Sequence, residues 1–226
     1  MRLVITDLTD MGAGSHCVAG WDLDTHRMVR PLPVGHNWST AQIQQFGILP
    51  GAIFEFQRSG KPHPGSYPHS TEDTEIVTSS TKRIENRPFD WFGADKPAAF
   101  ESVNAMFDGQ LKSAGQYHGM LKGCYVVTGE HLRSLGAIEL PPASVSLFED
   151  NFKGNRRLKA IIHDDTAIYS VSVSCHSLKI VYAESGIEAA NASLPATKLL
   201  HIRLGLARPF PDAPNRCNLM LNGIHG

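Results

Sequence analysis

The sequence predicts a mainly β protein with minor α content, arranged as two small β-barrels in tandem. Short apolar segments of strand length recur along the chain between turn-forming residues. Residues 169–174 alternate between apolar and polar side chains with a period of two, as a half-exposed strand does. Two successive groups of about five short strands each suit tandem barrels. We place the first barrel in residues 1–135 and the second in residues 136–226.

The composition indicates a folded chain and limits its range of partners. Hydrophobic residues make up 42% of the 226 residues and charged residues 19%, which is enough apolar content for buried cores. The 21 basic and 22 acidic side chains give a net charge of −1. This balance excludes a chain that is basic throughout, but it allows a local basic groove.

The cysteines and the N-terminal segment indicate a reducing compartment. Four cysteines are scattered without a CxxC pair, at Cys17, Cys124, Cys175 and Cys217. This spacing predicts reduced, buried thiols and no metal site. The chain begins directly with a strand-like segment and lacks an apolar run of bilayer length. We therefore expect a cytoplasmic protein with no membrane partner and no cofactor.

Strand and turn signals outline a meander in the first barrel. Asp24-Thr25-His26 supplies a turn, and Ser39 or Thr40 begins a short helix that ends before Gly47. The predicted strands span residues 2–8, 17–23, 28–32 and 52–56.

The rest of the first barrel is predicted to contain an extended loop and a helical insertion. Residues 58–75 are rich in Gly and Pro, which favours the loop. The insertion is placed at about 97–112, and residues 123–128 close the barrel. The apolar residues that share the predicted helical face are Phe100, Val103, Met106, Phe107 and Leu111.

The second barrel is predicted to be strand-rich throughout. Residues 184–197 are small, acidic or polar and are predicted to form a surface excursion. The candidate strands span residues 144–148, 157–163, 167–174, 178–182, 198–206 and 218–224.

Landmarks at both ends of the chain resemble a known family. Near the start, Cys17-Val18-Ala19-Gly20 is followed by Arg30-Pro31, and near the end Arg208-Pro209-Phe210 precedes a closing strand. This pattern resembles the dual OB-containing domain family of bacterial proteins. Met28-Val29 stands where that family has Trp-Ile, and Arg208 replaces an acidic residue. The resemblance implies two OB-like barrels and recognition of nucleic acid or nucleotides.

The leading hypothesis is a recognition module for single-stranded nucleic acid or a nucleotide, acting with a partner protein. OB barrels bind single strands by combining a basic groove with aromatic rings on which bases stack. The same aromatic residues could instead belong to the core, and the arginines could finish strands. The candidate contacts are Trp21, Arg30, Trp38, Lys153, Arg156, Arg157, Arg203, Arg208 and Phe210.

Two alternatives stay open at the level of sequence. His69, Glu72 and Asp73 could form an enzyme site acting on nucleic acid or nucleotides, because a histidine beside carboxylates can transfer protons. The same residues also suit a structural turn. The second alternative is a protein–protein interaction subunit. The sequence favours binding over catalysis, since no catalytic motif of comparable specificity accompanies these residues.

Overall fold

The computed structural model describes residues 1–60, 67–85, 90–92, 96–129, 133–152 and 154–226. These residues form two compact units, Met1–Pro97 and Ala98–Gly226. Both units consist mainly of β-strands with few helical turns, which confirms a mainly β protein with minor α content. The second unit begins earlier than the boundary that we placed at residue 135, because Phe100 already forms a β-bridge with Ile138.

The described residues of the first unit form a meandering sheet with one short α-helix. Its strands are β1 (Arg2–Gly12), β2 (Ser15–Asp22), β3 (Arg27–Pro33), β4 (Trp38–Ser39), β5 (Ile53–Glu55), β6 (Asp73–Ile76) and β7 (Lys82–Glu85), and its helix is α1 (Thr40–Phe46). The strands follow the order β6-β3-β2-β1-β5-β7, with β4 paired to β2. β3 and β6 run parallel, so part of the expected 58–75 loop is instead a strand.

Local sequence signals determine the ends of α1 as predicted. The Ser39 side chain accepts a hydrogen bond from the Gln42 amide, and the Gln42 side chain accepts one from the Ser39 amide. This reciprocal capping box satisfies two amides at the helix start. Gly47 ends the helix in the left-handed conformation with φ of 64°. The core beneath the helix includes Leu3, Ile5, Val18, Trp38, Phe54, Phe56 and Ile76.

The described residues of the second unit form one sheet with two α-helices. Its strands are β8 (Lys112–Tyr117), β9 (Met120–Val127), β10 (Leu135–Leu140), β11 (Val145–Phe152), β12 (Asn155–His163), β13 (Ile168–Val173), β14 (Leu200–Leu206) and β15 (Arg216–His225), and its helices are α2 (Val103–Met106) and α3 (His176–Ala192). The order is β10-β14-β15-β9-β13-β12-β11, with β8 paired to β9. β13 pairs with both β9 and β15, and β9 and β15 also pair with each other.

The predicted helix at 97–112 was wrong in length and in place. Only α2 is helical, and it belongs to the second unit. Asp108 and Gly109 adopt positive φ angles of 56° and 76°, which interrupt the helical path. The apolar periodicity therefore reflects buried Val103, Met106 and Phe107 around one short helix, and the chain turns into β8 directly afterwards.

The strand predicted at 178–182 was also wrong, because those residues lie in α3. Leu178, Ile180 and Val181 have strand-like character, but they lie in the first helical segment of α3, which is broken at Gly186 with φ of 80° before the second segment continues to Ala192. Much of the expected surface excursion is thus helical. Within the described ranges, no helix is long and apolar enough to cross a membrane.

Candidate nucleic-acid interface

The structure brings Arg30, a predicted nucleic-acid contact, and Asp73, a residue of the enzyme alternative, together in one buried cluster of the first unit. Arg30 Nη1 donates a hydrogen bond to Asp73 Oδ1 at 2.6 Å, and Arg30 Nε donates to the Cys17 sulfur at 3.1 Å. The Arg30 and Asp73 side chains are 1% and 0% exposed. The Arg30 amide also donates to the Glu72 carbonyl at 2.8 Å, as part of the β3–β6 pairing.

Electrostatics keep Arg30 charged in this cluster. Burial alone would lower the pKa of Arg30, but Cys17 and Asp73 outweigh burial, so the pKa is raised above its usual value. A guanidinium paired in this way holds β3 and β6 together.

His69, Glu72 and Asp73 form a turn rather than an open catalytic site. The His69 carbonyl accepts hydrogen bonds from the amides of Glu72 and Asp73, at 3.1 and 2.9 Å. The His69 and Glu72 side chains are buried. The structural interpretation of these residues is therefore favoured over the enzyme alternative.

Two further candidates for nucleic-acid contact are buried in the cores. Trp38 is fully buried and its Nε1 donates to the Pro31 carbonyl at 2.6 Å. Arg203 on β14 is likewise fully buried. Like Arg30, both residues are buried in this structure, and the interface proposed below does not include them.

Three further candidates, Trp21 in the first unit and Arg208 and Phe210 in the second, are more accessible. Trp21 on β2 is half-buried and packs edge-to-face against His26, with ring centroids 6.2 Å apart. Arg208 is half-buried and Phe210 is exposed in the loop between β14 and β15. Within either unit, the contacts of the described residues do not join them into a cluster.

The β11–β12 hairpin carries the basic run that the sequence singled out. Arg156 is exposed and pairs with Glu149, which also accepts a hydrogen bond from the Tyr182 hydroxyl at 2.7 Å. Hydrogen bonds from Arg156 and Tyr182 lower the pKa of Glu149, so this carboxylate stays ionised beside Arg156. Arg157 lies over the Phe152 ring at 4.5 Å. Lys153 lies outside the described residues.

The β8–β9 hairpin forms an exposed cluster of a different kind. Tyr117 is 58% exposed, the Lys122 ammonium lies 4.5 Å from the centroid of its ring, and the centroid of the His118 ring lies 4.2 Å from it. His118 and Gly119 form a tight turn in which both residues have positive φ, 45° and 80°. Residues 109–129 contain no Asp or Glu. The charge on Lys122 therefore has no carboxylate partner from its own hairpin.

A second cation–ring pair lies further along β9. The Arg216 guanidinium of β15 lies 4.6 Å from the Tyr125 ring centroid. Tyr125 is three residues beyond Lys122, and the β8–β9 pairing has no register shift, so the alternation of side chains puts the two residues on opposite faces of β9. The Tyr125–Arg216 pair is therefore separate from the Tyr117–Lys122 cluster.

The sequence interpretation missed Tyr117, His118 and Lys122. The adjacent pair His118-Gly119 between an aromatic residue and an apolar segment was a signal for a tight hairpin turn. The absence of acidic residues over 109–129 was a second signal, visible in the sequence. Both were obscured by the apolar spacing that predicted a helix up to residue 112.

Comparison with known proteins adds no assignment to this geometry. Neither a scan against protein-family models nor a search of curated proteins gives a match.

Proposed function

We propose that this chain binds single-stranded nucleic acid through the β8–β9 hairpin of its second unit. The observation that carries the proposal is the exposed Tyr117 ring with the Lys122 ammonium 4.5 Å from its centroid, on a hairpin without acidic residues. A base can stack on an exposed ring, and a neighbouring ammonium can pair with the adjoining phosphate.

The proposal includes the finer fold assignment that the sequence suggested. If each unit is an OB-like barrel, as the resemblance to the dual OB-containing domain family implies, an exposed barrel strand is a suitable place for a single strand. A net charge of −1 is compatible with this role, because stacking and a few local cations provide the affinity. A partner protein would then supply any chemistry performed on the nucleic acid.

Fluorescence anisotropy of the full chain tests this function. The probes are labelled oligothymidylate and oligouridylate of about 12 nucleotides, a length within the site size of an OB barrel. We expect saturable binding, and we expect Tyr117→Ala to weaken it by about 5- to 150-fold, since one stacked base contributes about 1–3 kcal/mol. A mononucleotide competitor should displace the oligomer poorly.

Phe152→Ala is the matched control. Phe152 is also an exposed ring with a cation near it, on the hairpin where Glu149 and Asp150 offset the basic residues. We expect the affinity of the Phe152→Ala variant for the oligonucleotide to stay within about twofold of the affinity of the original chain. Unchanged binding by Tyr117→Ala, or no binding by the original chain, would refute the proposed function.

A further inference from the structure

Four neighbouring strands of the second unit carry basic residues and no acidic ones. β8 pairs with β9, β9 with β13, and β13 with β12. These four strands contain no Asp or Glu, and their basic residues are Lys112, Lys122, Arg156, Arg157 and Lys159. A region of sheet with this one-sided charge favours a polyanion as its ligand. The acid-free character of the β8–β9 hairpin therefore continues over two further strands.

The pairing register places one residue of each of these strands in a row across the sheet. Tyr117 of β8 is opposite Met120 of β9, and Met120 is opposite Ile168 of β13. Ile168 is in turn opposite His163 of β12. Directly paired residues have their side chains on the same face of a sheet. Tyr117, Met120, Ile168 and His163 therefore form a cross-strand row on one face.

The cross-strand row has a ring at each end and apolar side chains between them. Tyr117 and His163 are exposed, and Met120 and Ile168 are half-buried, so each member retains some exposed surface. Three strand spacings separate the two ends, a distance of roughly 14 Å. Stacked bases of one strand rise about 3.4 Å each, so about four nucleotides cover this distance.

Lys122 lies on the same face, two residues along β9 from the cross-strand row. It shares the face with Met120 because side chains two apart lie on the same side of a strand. Lys122 is opposite Ser170 on β13, whose side chain is small and buried. A phosphate backbone that contacts Lys122 can therefore pass over β13 without obstruction while its bases lie over the row.

The acidic residues nearest to His163 lie beyond the end of the cross-strand row. Asp164 follows His163, but it is buried and its carboxylate accepts hydrogen bonds from three backbone amides. Asp165 is exposed in the turn after β12. Because an exposed carboxylate repels phosphate, Asp165 marks the end of a favourable path at β12.

We propose that a single strand bound at Tyr117 crosses the sheet along the cross-strand row and stacks a further base on His163. This inference rests on the nucleic-acid function proposed above, and it adds the direction and the length of the bound segment. The strand runs across the β-strands, and about four nucleotides lie between the two rings. Met120 and Ile168 contact the intervening bases, and Lys122 pairs with a phosphate. The four acid-free strands favour this polyanion over a peptide, which the rings alone would also suit.

Methyl NMR of the full chain follows the path of the oligonucleotide directly. The protein carries isotope-labelled methyl groups on its methionines and isoleucines, and the probe is oligothymidylate of about 12 nucleotides. We expect the methyl signals of Met120 and Ile168 to shift on binding. Ile180, an exposed isoleucine on α3, is the matched control and should keep its signal in place. A shift of Met120 without a shift of Ile168 would overturn the path.

Alanine substitution of the second ring tests its role in stacking. We expect His163→Ala to weaken the binding of labelled oligothymidylate by at least about fivefold, because a stacked base is lost. His36→Ala removes an exposed histidine of the first unit and should keep the affinity within about twofold. Equal affinities of His163→Ala and the original chain would overturn the assignment of His163.

Paired charges at Ile168 separate contact with phosphate from loss of packing. Ile168→Glu and Ile168→Lys both introduce a long charged side chain at the same half-buried position. We expect the lysine variant to bind oligothymidylate at least about tenfold more tightly than the glutamate variant, because the two charges act oppositely on a phosphate. The same pair of substitutions at Ile180 should differ by less than about twofold. Equal affinities of the two Ile168 variants would contradict the path, and if either variant does not fold, the methyl shifts and His163→Ala decide it.

The failure of this inference is distinguishable from the failure of the proposed function. If the original chain does not bind oligothymidylate, or if Tyr117→Ala binds it unchanged, the proposed function is wrong and the path falls with it. If Tyr117→Ala weakens binding while His163→Ala and the Ile168 methyl signal are unaffected, the function stands and only the path across β13 and β12 is wrong.

Discussion

The buried Arg30 of the first unit and the exposed Lys122 of the second unit show two opposite uses of a cation. Arg30 is enclosed by Asp73 and Cys17 and holds two parallel strands together. Lys122 lies against an aromatic ring on a hairpin that has no acidic residue. The β11–β12 hairpin is intermediate, because the exposed Arg156 is paired with Glu149 and the half-buried Lys159 with Asp150. The position of the nearest carboxylate therefore decides whether a basic residue stabilises the fold or is available to a ligand.

The largest effect that this comparison predicts is on stability. Asp73→Asn keeps the shape of the side chain but removes the charge opposite buried Arg30. Breaking a buried ion pair on one side typically costs about 3–5 kcal/mol, because the remaining charge is buried without compensation. We expect a loss of this size in the free energy of unfolding, measured by urea denaturation followed by tryptophan fluorescence.

Asp24→Asn provides the matched control for that experiment. Asp24 pairs with Arg2 at the same distance, 2.6 Å, but the two side chains are 43% and 53% exposed. Exposed pairs contribute little, so we expect the unfolding midpoint to change only slightly. Similar losses in the free energy of unfolding for Asp73→Asn and Asp24→Asn would show that burial does not make the Arg30–Asp73 pair more stabilising than the exposed pair.

The sequence predicts the local features of the first unit well and its long-range contacts poorly. The capping residues Ser39 and Gly47 act within a few residues of α1, and both were identified correctly. Arg30 and Asp73 are 43 positions apart, and nothing local to either residue indicates that they pair. The sequence therefore assigned them to two different hypothetical sites, although they form one buried ion pair.

The second unit shows how periodicity can mislead when an element is short. Val103, Met106 and Phe107 are buried around α2, and their spacing suggested a much longer helix. That interpretation extended the helix to the beginning of β8 and concealed the hairpin that carries Tyr117. Charge patterning was the better guide here, because the acid-free segment 109–129 coincides with the exposed cation–ring pair.

A smaller predicted effect concerns the salt dependence of nucleic-acid binding. Lys122→Gln and Arg156→Gln each remove one positive charge from an exposed hairpin. Each phosphate contact contributes about 0.7 to the slope of log K against log salt for a single strand. We expect Lys122→Gln to reduce the slope by about that amount, and Arg156→Gln to leave it nearly unchanged because Glu149 already offsets Arg156. The slope is measured from the fluorescence anisotropy of labelled oligothymidylate across a salt series. A larger change in the slope for Arg156→Gln than for Lys122→Gln would assign the binding surface to the β11–β12 hairpin instead.

The smallest predicted effect is a gain of affinity when the carboxylate of the β11–β12 hairpin is neutralised. Glu149 has a lowered pKa because Arg156 and Tyr182 donate hydrogen bonds to it, so it remains charged at neutral pH. Glu149→Gln leaves the Arg156 charge without that partner, and we expect slightly tighter oligonucleotide binding with a salt slope larger by at most about 0.7. Glu184→Gln, which removes an exposed acid on α3, changes the net charge equally and should affect binding less. If only Glu149→Gln raises the affinity for the oligonucleotide, the local pairing with Glu149, and not the net charge of the chain, limits the contribution of Arg156. Equal gains in affinity for the two variants would instead indicate a general effect of net charge.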